Sequence, residues 1–230
     1  HHTATSVSIV GGGSGVIRPG AVSRASRGVL FLDEAPEFSP AVIDSLRQPL
    51  ESGEIVIHRA HQVARFPAHV HLVLAANPCP CGQAGLSDAD CVCTPDRRRR
   101  YRSRLSGPVL DRIDIHLPVR RVPRAQLLDD SVVRVTTADA RVRVAGARAA
   151  ATERWGPDRI SSTDIRTGQF RLAPTVSAPL DLALDRGSIS MRGYDRALRI
   201  AWTLADLAGT TTPTRDQVDR AYTLRKGLTP

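Results

Sequence analysis

The segment GVLFLDEAPEF, Gly28 to Phe38, constrains this chain more than any other. Four apolar residues, Val29 to Leu32, run straight into two adjacent carboxylates, Asp33 and Glu34. So short a run suits a strand, and apolar residues on consecutive positions suit a parallel strand covered on both faces. Such a strand delivers whatever follows it to the carboxyl edge of its sheet, where open α/β folds bind ligands. HVHLVLAANP repeats the pattern, with a strand from Val70 to Ala75 that ends at the amide of Asn77. Between the two, Glu54 to Phe66 reads as a β-hairpin turning around His58–His61.

Asp33 and Glu34 at a strand end suit a metal–phosphate site. One carboxylate enters a Mg²⁺ shell and the other polarises an attacking water, the hydrophobic-Asp-Glu form of the Walker B motif. A strand ending in an exposed acidic turn would read the same way. Asn77 is equally an amide capping the turn before Pro78. Arg112, in SGPVLDRIDIHLPV just ahead of an expected strand Ile113–Val119, can neutralise charge on a phosphoryl group or pair within the chain to Asp111 or Asp114.

All four cysteines fall in one loop, as Cys79, Cys81, Cys91 and Cys93, a C-x-C-x9-C-x-C pattern. Four thiolates so close can surround one Zn²⁺ tetrahedrally, leaving no open position for catalysis; disulfides or free thiols are the alternatives. DRRRRYRSR, residues 96–104, follows as a helix with six arginines. It offers phosphates a surface on which Tyr101 could stack a base, or it serves as a solvated or subunit-facing edge.

The formal charge is +9, almost all of it arginine, with Lys226 the single lysine. That surplus favours an anionic partner, although GC-rich coding produces it too. No apolar run approaches the ~20 residues of a membrane span. Elsewhere, residues 1–27 read as a loop or irregular hairpin with turns at Gly11–Gly15 and Pro19–Gly20. Ser39 and Pro40 open a helix to about Ser52 whose apolar face is Val42, Ile43, Leu46 and Leu50. Thr137–Trp155 reads as an Ala/Arg-rich helix, Pro157–Pro174 as a broken linker, and Val176–Arg186, Met191–Ala208 and Thr214–Lys226 as three more helices.

GGGSGVIRPGAVSRASRGVLFLDEAPEF, LRQPLESGEIVIHRA, LVLAANPCPCG and RYRSRLSGPVLDRIDIHLPV, in that order, resemble the magnesium chelatase-related AAA+ ATPases of the ComM/YifB type. SMRGYDRALRIAWTLADLAG resembles that family's C-terminal helical lid. The resemblance implies an α/β fold: a partial AAA+ core of parallel sheet, helices and a pre-sensor-1 hairpin over residues 1–122, a helical linker over 123–175 and an all-helical lid over 176–230. It implies Walker B roles for Asp33 (magnesium) and Glu34, sensor 1 for Asn77, the arginine finger for Arg112 and sensor 2, at the nucleotide, for Arg192. It implies DNA contacts for His58, Arg59 and His61 on the hairpin. ATP and magnesium are the implied cofactors. Branched or single-stranded DNA and a hexameric ring of identical subunits are the implied partners, in a cytoplasmic protein, where thiols favour metal over disulfides. The rival readings are a chelatase-like protein-remodelling ATPase and a zinc-stabilised nucleic-acid-binding module. The phosphate-cradling G-x-x-x-x-G-K-[ST] is absent from these residues. The expectation is therefore a C-terminal fragment that alone neither binds ATP tightly nor hydrolyses it.

Overall fold

The computed structural model describes residues 2–13, 16–59, 62–84, 91–119, 122, 124–129, 134–156 and 167–227. The chain divides into two compact units, His1–Ile113 and Asp114–Pro230.

The first unit begins with a short helix α1 (Ser6–Val10), capped by Thr5. The two-residue strands β1 (Gly11–Gly12) and β2 (Arg18–Pro19) then pair antiparallel and lead to α2 (Ala21–Arg24), so the stretch read as a loop or irregular hairpin also holds two short helices that were not expected. Strand β3 (Val29–Leu32) follows. Ser39 caps α3 (Pro40–Ser45), its hydroxyl accepting from the Val42 amide at 3.4 Å. The expected single helix to Ser52 is broken: Leu46 ends α3 and opens α4 (Arg47–Ser52). Pro49 has no N–H to offer the carbonyl four residues back, so the ladder lapses there. Burial of Val42, Ile43 and Leu46 is as expected.

The hairpin is β4 (Glu54–Arg59) with β5 (Gln62–Pro67), in register from Glu54 opposite Pro67 to Arg59 opposite Gln62. Gly53 sits before it at φ +69°, and a Cβ there would lie 2.5 Å from the His69 ring. Strand β6 (His71–Leu74) runs parallel to β3, with Val29 opposite His71 and Leu32 opposite Leu74. Leu32 is buried, and Leu30, Leu72 and Leu74 pack with it against Ile43, Leu46 and Ile55. Val29 and Phe31 are 63% and 55% exposed. The parallel pairing is as expected but burial on both faces is not. Alternate side chains leave opposite faces, and among the described residues only one face is covered. The basic helix is α5 (Pro95–Arg102), with a separate short α6 (Gly107–Leu110) beyond it.

The second unit is helical. The expected strand Ile113–Val119 does not form among the described residues. The alternating apolar residues Ile115, Leu117 and Val119 are exposed, and the His116 N–H donates to Leu224 O at 2.9 Å. A helical turn α7 (Arg124–Leu127) precedes α8 (Thr137–Trp155), which opens with a Thr136/Asp139 capping box. Then come α9 (Pro174–Asp185), α10 (Met191–Ala208) and α11 (Arg215–Lys226). Their core is Leu180, Leu198, Ala201, Trp202 and Val218, centred on Phe170, which is 1% exposed. The stretch read as a broken linker thus supplies a central core residue. A 3₁₀ turn, Thr167–Phe170, presents it, and Trp202 Nε1 donates to the Phe170 carbonyl at 3.1 Å. Trp155 packs on both rings, with centroids 5.4 Å from Phe170 and 5.3 Å from Trp202. No helix among the described residues is long and apolar enough to cross a membrane.

Both tryptophans lie in this second unit, so their fluorescence reports its unfolding. Phe170→Ala is expected to cost about 3–5 kcal/mol, as for a fully buried aromatic. Val144→Ala, at an exposed site on α8, should cost less than ~0.5 kcal/mol. Urea denaturation followed by tryptophan emission measures both.

Candidate functional site

The parallel pair builds the acidic edge. Ala75 N–H donates to Leu32 O at 3.0 Å, and Ala75 O accepts from Ala35 N–H at 2.8 Å. One residue of the β6 exit therefore bonds to both sides of Asp33–Glu34, and the two acids are held in the gap between those bonds. Asn77 leaves the same edge two residues further on. The stepped geometry forces Glu34 into the left-handed region, φ 51° and ψ 41°, unusual for a residue with a side chain. Asp33 Oδ1 accepts the Glu34 N–H at 2.9 Å, and both carboxylates are exposed. His2 Nδ1 lies 3.7 Å from Glu34 Oε2.

The turn after the acids is tied down by residues that follow the basic helix. Arg104 Nη1 donates to Pro36 O at 3.2 Å and to Glu37 Oε2 at 2.9 Å. Ser106 Oγ donates to Asp44 Oδ1 at 2.7 Å. Nothing in the sequence pattern singled out these contacts, which join residues more than 60 positions apart. Tyr101, considered above as a base-stacking platform, is instead buried at 3% exposure. Burial, followed by the charges of Glu37 and Glu34, pushes its phenol up from the ordinary value. A surface cavity of about 540 Å³ opens beside it, lined by Glu37, Pro80, Thr94, Arg97, Arg100, Tyr101 and Arg104.

Arg112 follows α6. Its guanidinium pairs with Glu51 and donates to Pro108 O at 2.7 Å, and its side chain is only 10% exposed. An intrachain pair is thus present, to Glu51 of α4.

His58 and Arg59 are exposed at the far end of β4, opposite Val63 and Gln62. His61 lies outside the described residues. The hairpin end neighbours the glycine-rich β1. A Cβ on Gly12 would lie 3.7 Å from Arg59 Nη2, and one on Gly11 would lie 3.3 Å from Ile57 Cδ1.

The four cysteines converge as their spacing suggested. Their sulfurs all lie within 4.8 Å of one another, and none is in a disulfide. Cys79 and Cys93 are buried. The Cys79 thiol is held at about 6: burial pushes it up, but hydrogen bonds from the Ala84 amide and the Cys81 and Cys91 neighbourhood outweigh that. Cys91 is pushed up to about 11, where a backbone bond at Cys93 that lowers it is overcome by burial and the nearby sulfurs. The donor set and its closeness suit a soft metal such as zinc.

Residues 1–127 match the family model for magnesium chelatase, subunit ChlI, and residues 134–225 match the model for the ChlI C-terminal region. The competence protein ComM of Haemophilus influenzae is 41% identical over 91% of this chain and 41% of its own length. Protein YifB of Escherichia coli is 36% identical over 98% of this chain and 44% of its own. The chain belongs to the magnesium chelatase-related ComM/YifB family. An uncharacterized protein of Mycobacterium tuberculosis is 47% identical over 98% of this chain and 45% of its own. The chain thus spans less than half the length of these relatives.

In this ComM/YifB-family chain, Asp33, Glu34 and Asn77 share one sheet edge, and Arg112 lies in the same unit. Arg192 belongs to the second unit, exposed in the first turn of α10, whose N-cap Ser190 accepts from the Gly193 amide at 3.1 Å.

The left-handed backbone of Glu34 yields a prediction. An L-residue there costs ~1–2 kcal/mol, and a glycine's extra unfolded-state freedom returns ~0.5–1 kcal/mol of that. Glu34→Gly should therefore stabilise the first unit by about 0.5–1 kcal/mol. Glu34→Ala keeps the strain and should not. Scanning calorimetry of the two variants distinguishes them.

Proposed function

We propose that these residues form the hydrolytic and nucleic-acid-engaging part of an AAA+ Mg-ATP-dependent DNA motor of the ComM type, acting on branched or single-stranded DNA as a hexameric ring. The observation that carries this reading is the ladder at Ala75, which fixes an Asp–Glu pair and an amide at the carboxyl edge of one parallel strand pair. In this reading the first unit is a partial AAA+ core and the helices of the second are its lid. Branch migration during recombination is the activity in view.

Asp33 fits magnesium by donor type: it is an exposed carboxylate with one oxygen already fixed by the Glu34 amide, leaving hard oxygen ligation open. Magnesium, when bound with ATP, neutralises phosphate charge. Glu34 takes a proton from the attacking water, Asn77 orients that water, and Arg112 and Arg192 bring positive charge to the developing phosphate. For Arg112 this requires exchange of Glu51 for a phosphate oxygen. His58, Arg59 and His61 contact DNA phosphates, with Gly12 of β1 beside Arg59. The triphosphate itself needs a G-x-x-x-x-G-K-[ST] cradle, so turnover requires such a segment alongside these residues.

A second reading, a protein-remodelling ATPase, is favoured by the family models, whose description is of magnesium chelatase. The two differ in salt response. DNA binding through phosphates weakens steeply with salt.

In a polypeptide that joins these residues to such a cradle, Glu34→Gln should lower Mg-ATP turnover by roughly 100-fold or more, the scale of a lost general base. Unchanged turnover would remove the hydrolytic assignment. Arg59→Ala should reduce the salt slope of DNA binding by about 1, as for one lost phosphate contact. Fluorescence anisotropy with a branched duplex at several salt concentrations reads that slope. A slope near zero for the unsubstituted protein would favour the protein-remodelling reading.

A further inference from the structure

We propose that Cys79, Cys81, Cys91 and Cys93 bind one Zn²⁺ as a closed tetrathiolate, and that this ion fastens the segment between Asn77 and α5.

The spacing of the sulfurs is the first observation. With Zn–S bonds of about 2.3 Å, the edge of a regular ZnS₄ tetrahedron is ~3.8 Å. Cys91 Sγ lies 3.8 Å from both Cys79 Sγ and Cys81 Sγ, and Cys79 Sγ lies 3.3 Å from Cys81 Sγ. All four are within 4.8 Å. Small adjustments convert this cluster into a tetrahedron.

The turn that carries the first pair is the second observation. Gly82 N–H donates to Cys79 O at 3.0 Å, with Gly82 at φ +77°, a region that favours glycine. The chain then folds back so that Ala84 N–H donates to Cys79 Sγ at 3.3 Å. An amide aimed at a sulfur is the kind of outer contact that orients and electronically supports a thiolate ligand.

Third, the described part of this segment has little apolar core of its own. The buried cluster here is Cys79, Ala84 and Cys93, with Cys81 and Cys91 packed against it. A core made of four sulfurs and one methyl group offers little apolar burial to offset loop closure, whereas a structural metal supplies that free energy directly. A tetrathiolate of Zn²⁺ carries two net negative charges, and the cavity that includes Pro80, between two ligands, and Thr94, next to Cys93, is lined by Arg97 and Arg100.

The consequence lies in what the ion holds. Cys79 is two residues past Asn77, and Cys93 is two residues before Pro95, the first residue of α5. The ion links the exit of β6 to the start of the helix that leads to Arg104, and Arg104 ties the turn behind the acidic pair. All four positions are ligands, so the ion takes no part in chemistry.

The test uses the unsubstituted chain, purified without chelator and under reducing conditions. Elemental analysis should find one zinc per chain. Exchange with Co²⁺ should give the intense thiolate-to-cobalt absorption of tetrahedral sulfur ligation. The four thiols should resist a disulfide reagent until a strong chelator is added. Cys91→Ser should lower zinc affinity beyond the ~100-fold typical of losing an outer contact, and Cys81→Ser likewise. Absence of zinc together with no thiolate–cobalt spectrum overturns the proposal. So does iron in place of zinc, or mass-spectrometric detection of disulfides among the four. If both serine variants fail to fold, the measurements on the unsubstituted chain decide alone. None of these readouts involves nucleotide or DNA, so their failure leaves the ATPase reading standing, and its failure leaves them.

Discussion

Everything at the acidic edge depends on the bonding of Ala75. Its amide closes the β3–β6 ladder on Leu32, and its carbonyl receives Ala35. A parallel ladder spaces its bonds evenly, so a residue that bonds both before and after a pair of neighbours leaves that pair no freedom in the strand plane. Asp33 and Glu34 are extruded beyond the edge, and the left-handed Glu34 is how the chain returns to Ala35 in time. The four-residue strands are short, but the register of Leu32 against Leu74 sets their ends level. Acid and amide therefore emerge together. A shift by one residue would move Leu30 and Leu32 out of the core and bring Val29 and Phe31 in, so burial of Leu32 also enforces the register.

A second tier of contacts keeps this edge from fraying. Arg104 bonds Pro36 O and Glu37, Ser106 bonds Asp44, and the cysteine segment spans the distance from Asn77 to α5. These are polar contacts at partly exposed positions, each worth ~1 kcal/mol net or less. Their value is positional. They connect the turn after β3 to the chain after β6, which the two-stranded sheet alone does not do.

How much of this was legible follows from what each signal measures. Val29–Leu32 was readable as a strand because an apolar run bounded by Gly28 and two acids has few other uses. Its burial was not, because covering both faces depends on neighbours that composition does not reveal. The Glu54–Phe66 hairpin was readable from its β-prone arms, and the convergence of four cysteines from their spacing. The helix from Pro40 was read through Pro49 on the strength of its apolar face. That face persists across the break at Leu46, so periodicity could not show it. Ile113–Val119 alternates like a strand and finds no strand partner among the described residues. Phe170 sat among residues with turn chemistry, and only the tertiary contact with Trp155 and Trp202 makes it core. Tyr101 and the Glu51 partner of Arg112 depend on long-range packing, which local spacing does not encode.

In the motor reading proposed above, the Arg112–Glu51 pair gives a way to hold the arginine away from chemistry until nucleotide is present. Arg112 is 10% exposed, whereas Glu51 is 54% exposed. Most of the desolvation cost of the pair therefore falls on the arginine, and a buried guanidinium without an anion is strongly disfavoured. Glu51 supplies that anion from a solvated position, at little cost to itself. A terminal phosphate carries more charge and more acceptor oxygens than one carboxylate, so it can displace Glu51 while leaving the arginine paired throughout. The exchange swaps one partner for a better one and exposes no bare charge. In the motor reading, Glu51 then occupies the arginine until nucleotide arrives, and the energetic difference between the two states is the difference between two anions seen by a single, partly buried cation.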